Sequence, residues 1–156
     1  MRYSGTMFDV LVYLYENYWR PDACPEAEQL SRKLSAVGFE SDEIADAIHW
    51  LNALALQLES YDIAPAPHSI RVYTIRETEV LGCESIGFLQ FLESAELLSV
   101  SMREMVIDRA MATGAVRLEL DDIKIIVLMV FWCLGQEPDA LILDEFFVDP
   151  EDRILH

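Results

Sequence analysis

Residues 121–135 read DDIKIIVLMVFWCLG, and how this stretch folds decides the rest of the chain. Asp121 starts a helix and Gly135 stops it. Between them, 123–134 is apolar almost all round, and its unbroken apolar run covers only 125–134. A helix needs about 20 apolar residues to span a bilayer. One that is apolar on every face yet too short to span is surrounded by other helices. Residues 123–134 are therefore expected at the centre of a helical core, and no membrane partner is expected.

Moving outward, other segments supply the surrounding layer. At 7–19, MFDVLVYLYENYW places Met7, Val10, Leu11, Leu14 and Tyr18 on one helical face, with Thr6 as N-cap, Asp9 three residues on, and Pro21 closing the helix. PEAEQLSRKLSAV at 25–37 carries Ala27, Leu30, Leu34 and Val37 as its stripe, Pro25 in the first turn and Gly38 as C-cap. Ser41 is read as the cap of a third helix bearing Ile44, Ile48, Leu51, Leu54 and Leu58. Pro65 and Pro67 break the pattern, and the alternation at 69–73 fits a short strand.

The second half restarts at Thr74, whose capping box with Glu77 opens a short helix ending near Gly82. Residues 84–98 then put Phe88, Phe91, Leu92, Ala95 and Leu98 on one face. Ser101 with Glu104 is read as the cap of the next helix, which Gly114 ends, and 116–118 is read as a second strand. Pro138 opens a last helix to about Val148. The expected fold is all-α: a compact bundle of about seven helices with room for a short β element. It divides into an N-terminal three-helix part, 1–64, and a C-terminal part, 65–156, packed together.

The chain has 156 residues, 53% of them hydrophobic, with 11 Lys+Arg against 28 Asp+Glu and a net charge of −17. That hydrophobic fraction argues for a packed core rather than disorder. Nucleic-acid affinity rests largely on cations displacing counterions from phosphates, so this charge disfavours direct nucleic-acid binding. Cys24, Cys83 and Cys133 are far apart and form no C-x-x-C, which suggests reduced thiols and a cytoplasmic protein. MRYSGTMFDV lacks the apolar stretch of a signal peptide.

Residues 26–58 have the look of a helix-turn-helix, but the second helix carries Asp42, Glu43, Asp46 and Glu59 with no Lys or Arg. It would meet phosphates with carboxylates, so a packing unit is the better reading. Asp46 and His49 stand at a metal-like i, i+3 spacing without the second motif such sites need. Trp50, Trp132, Phe88 and Phe91 are read as core residues. No phosphate loop, nucleophile elbow or Ser/His/Asp set is present, so no catalytic residue, metal site or cofactor is expected. The candidate partner-binding residues are the charged set Arg103, Glu104, Asp108 and Arg109 on one helix, joined by Arg71 and Arg76.

MFDVLVYLYENY at 7–18, the Gly38-Phe39 turn followed by AIHWL at 47–51, RVYT at 71–74, GFLQFLE at 87–93, REMVIDRA at 103–110 and LDDIKIIVLMVF at 120–131 resemble the Smg family of small bacterial proteins. The resemblance runs in order from Met7 almost to the C-terminus. It implies an extension at 1–6 and a gene neighbourhood beside a DNA-processing protein, and it brings no catalytic residue or cofactor. Taken together, these features predict a non-enzymatic protein-interaction or regulatory module with a protein partner. The alternative is a nucleic-acid-associated factor acting in DNA processing, directly or through a partner. The oligomeric state has no signature in the chain.

Overall fold

A computed structural model describes residues 6–18, 20–59 and 72–136, with Asp22 described by its backbone alone. Arg71, the 64/65 boundary, the first part of the strand expected at 69–73 and the helix expected at 138–148 lie outside the described residues. Six α-helices follow one another: α1 (Met7–Asn17), α2 (Ala27–Val37), α3 (Ser41–Glu59), α4 (Ile75–Ser94), α5 (Val100–Met111) and α6 (Leu120–Leu134), with a 3₁₀ turn at Pro21–Ala23. No strand occurs among the described residues, and the bundle is all-α.

α6 occupies the centre, packing against α1, α3, α4 and α5. Its residues from Ile126 to Trp132 are all buried, as expected of a stretch apolar on every face. α2 reaches the core through α3, and α5 packs on α4 and α6. Val10, Leu11 and Leu14 of α1, Trp50 and Leu54 of α3, Leu89 and Leu92 of α4, and Val106 and Ile107 of α5 join α6 in one apolar cluster. Two indoles tie distant parts of the chain together. Trp132 Nε1 donates to the Tyr18 carbonyl at 3.0 Å and Trp50 Nε1 to the Arg109 carbonyl at 3.1 Å.

The capping chemistry is formed at most of the expected places. The Thr6 N–H donates to the Asp9 carboxylate at 3.2 Å. At Thr74 and Glu77 the box is reciprocal, at 2.9 and 3.1 Å. Two caps fall elsewhere. Ser99, not Ser101, accepts from the Met102 N–H and starts α5 earlier. Ser41 is already helical, its helix opening with the Ile44 N–H bonded to the Glu40 carbonyl.

α4 is two helical limbs joined at Gly82, whose φ of 78° and ψ of 164° are non-helical. The short helix expected to end near Gly82 is thus present, and the break decides what happens to 116–118. Instead of pairing as a strand, Leu118 donates its N–H to the Val80 carbonyl at 2.7 Å, next to the break. The second limb stops at Ser94, short of the expected 98, because Glu96 turns to a φ of 60°. Leu98 is still buried, but Phe91 is 59% exposed and is not a core residue.

Candidate functional site

The charged residues of α5 do not form an open charged face. Arg103 is 4% exposed and Arg109 8%. Arg103 sits at the first turn of α5, beside the end of α4, and two carboxylates grip its guanidinium. Glu93 takes Nη1 at 2.7 and 2.8 Å, and Glu104 takes Nε at 3.0 Å and Nη2 at 2.9 Å. Burial would lower the guanidinium pKa, but the Glu93 and Glu104 hydrogen bonds outweigh it and hold Arg103 above its ordinary value. The arginine acts as a clasp between α4 and α5.

Arg109 does the same between α5 and α3. Its Nη1 donates to the Trp50 carbonyl at 3.3 Å, its guanidinium lies 5.7 Å from the Trp50 ring centroid, and Nη2 approaches Asp108 at 3.5 Å. Trp50 returns the bond to the Arg109 carbonyl, so the two residues lock reciprocally. Asp108 is exposed and also accepts from Gln57 Nε2 of α3. Charge reversal at Arg103 or Arg109 would therefore disturb the packing of the helices and not only edit a surface, because both side chains are internal. What the end of α4 and α5 together show to solvent is a rim of carboxylates, Glu93 of α4 with Glu104 and Asp108 of α5, above buried arginines.

Arg76 is exposed on the first turn of α4, at the opposite end of that helix from Glu93. Lys124 is a third internal cation, 7% exposed, with Nζ 5.8 Å from the Phe88 ring centroid. No apolar or charge pattern signals these burials, since Arg and Lys are rarely buried unless paired. Glu93, ten positions before Arg103, was the overlooked partner.

Asp46 and His49 are both exposed on α3, and no group of three or more His, Cys, Asp or Glu able to hold a metal occurs among the described residues. No described helix is long and apolar enough to cross a membrane. A cleft of about 440 Å³ lies among α1, α2, α3 and the end of α6, with Leu30, Leu51, Trp132, Cys24 and Cys133 on its walls. Burial, with a smaller contribution from neighbouring Cys24, pushes the Cys133 thiol up to about 12, and burial raises Cys24 as well. Both stay as unactivated thiols at neutral pH. A second cleft, of about 670 Å³, opens at the α4 break and the start of α6.

Residues 7–156 match the family model described as "Protein of unknown function (DUF494)". The chain is 66% identical over 150 residues to a protein named Smg homolog from Methylibium petroleiphilum and 64% identical to one from Leptothrix cholodnii, each covered in full by 96% of this chain. A Smg homolog from Bordetella pertussis is 50% identical over 152 residues, again along its whole length. No solved structure matches. With a family match over 7–156, a range that takes in all six helices, and relatives this similar along their whole length, the chain belongs to the Smg family.

Proposed function

We propose that the protein is a non-enzymatic cytoplasmic interaction module whose acidic surface meets a basic face of a protein partner. One observation carries this reading: the fold withdraws cations and displays anions. Arg103, Arg109 and Lys124 are the buried charged residues among the described residues, and no described Asp or Glu is more than partly buried. The exterior is therefore more acidic than the net charge of −17 conveys. A surface field of this kind steers oppositely charged partners and repels nucleic acid. Of the original charged set, Arg76, Glu104 and Asp108 remain accessible, and Glu93 joins the last two in a carboxylate rim that the buried arginines hold in place.

Tagged full-length protein should capture a basic partner from its native host at about 0.1 M salt and release it toward 1 M, where the Debye length is about 3 Å. Glu104→Gln with Asp108→Asn should weaken that capture several-fold while the helical circular dichroism is unchanged. Equal capture by the double variant removes the rim from the proposal. A gel shift with single- or double-stranded DNA at low salt, expected to be negative, would instead favour the nucleic-acid reading if positive.

A further inference from the structure

The cleft at the α4 break has a different character from the acidic rim. Two helix N-termini converge on it: the limb of α4 that restarts at Cys83, and α6, which starts at Leu120. Gly82 has no side chain with which to cap the N–H groups of the restarted limb, and helix N-termini leave such donors unsatisfied and partially positive. Arg117 reaches across the opening, and its Nη2 would lie 3.3 Å from a Cβ placed on Gly82. It is exposed and makes no ion pair or hydrogen bond among the described residues. On the cleft wall, Ser85 is 1% exposed and its Oγ has no hydrogen-bond partner. Buried hydroxyls are nearly always paired, so the unpaired Ser85 Oγ on the wall of this cleft points to a ligand, while the N-terminus of α6 is already capped by Glu119 and Asp122.

We propose that this cleft binds a single small oxyanion, a phosphoryl or carboxylate group, held by the Arg117 guanidinium, the N–H groups following Gly82 and the Ser85 hydroxyl. Glu84, Glu119 and Asp121 share the cleft. They leave room for one isolated anionic group against Arg117 and repel the flanking phosphates of a nucleic-acid strand. Gly82 serves the site twice. Its backbone frees the donors of the second limb, and its missing Cβ lets the guanidinium approach.

The test is a titration of the full-length protein with inorganic phosphate and, in a parallel arm, with acetate, followed by amide NMR at matched ionic strength in chloride. Saturable shifts centred on Cys83, Glu84, Ser85 and Arg117 are expected in at least one arm, which also names the source of the oxyanion. Arg117→Gln, at an exposed position, should weaken binding about tenfold or more, and Ser85→Ala about fivefold. Bound anion should also slow maleimide labelling of exposed Cys83 in the parent protein and not in Arg117→Gln. No saturable shift in either arm, shifts reproduced by chloride, or equal affinity in Arg117→Gln would overturn the site. Tighter binding of a short single-stranded DNA than of phosphate would overturn it as well.

Discussion

Arg103 shows how much a single side chain can do when it is removed from water. Its side chain is 5% exposed, while those of Glu93 and Glu104 are 29% and 38% exposed. Because those carboxylates can still rehydrate, losing the arginine costs less than breaking a fully buried pair. Arg103→Ala is expected to destabilise by about 2 kcal/mol, read from chemical denaturation, with Arg103→Lys recovering only part because it lacks the planar fork. Asp122 offers a residue-scale test of opposite sign. Burial, reinforced by Glu119, Asp121 and Asp9, raises its carboxyl above the ordinary range despite the bond from the Glu119 N–H. A raised carboxyl binds its proton more tightly in the folded chain, so its favourable contribution is present at acid pH and is lost as pH rises through the folded value. Asp122→Asn, which keeps an oxygen for the Glu119 N–H, should therefore raise the melting temperature at pH 7. The gain should vanish near about pH 3, where both states hold the proton.

At the scale of the element, α4 and α5 separate what local pattern reveals from what it hides. The break in α4 was legible, since a glycine ends the capped run from Thr74. Its partner was not. Residues 116–118 alternate like a strand in sequence, yet Leu118 spends its N–H on Val80, a contact made only when the fold brings the segment past the break. Gly82→Ala should cost about 1–3 kcal/mol, because φ 78° with ψ 164° is a region open essentially to glycine. Equilibrium unfolding checks this, and a near-neutral result would mean the limbs can join as a continuous helix. α5 was legible as a helix by its length and apolar content. Its arginines read as surface because burial of a cation depends on acceptors from other elements: Glu93 from α4 and Trp50 from α3.

For the whole molecule, charge and core pull against each other. One apolar cluster around α6 holds the helices together, while the carboxylates outside repel one another. Screening that repulsion should stabilise the protein. Calorimetry is expected to show the melting temperature rising between about 0.01 M and 0.15 M salt, as the Debye length falls from about 30 to about 8 Å. A flat or falling response would mean that the exposed ion pairs, which salt weakens, matter more than the net repulsion.

By itself the sequence determined the helical class, the position of α6 at the centre, the breaks at Gly38, Gly82 and Gly135, and the family. Each of these rests on short-range periodicity, on glycine's backbone freedom or on direct identity, and each is written locally along the chain. Only the tertiary structure decided that Arg103, Arg109 and Lys124 lie inside, that Phe91 lies outside, and that Arg117 comes beside Gly82 in a cleft that Ser85 also lines. The physical reason is that burial and pairing of charge depend on which groups converge in space. Arg109 and Trp50 are 59 positions apart, and no helical period or cap connects them.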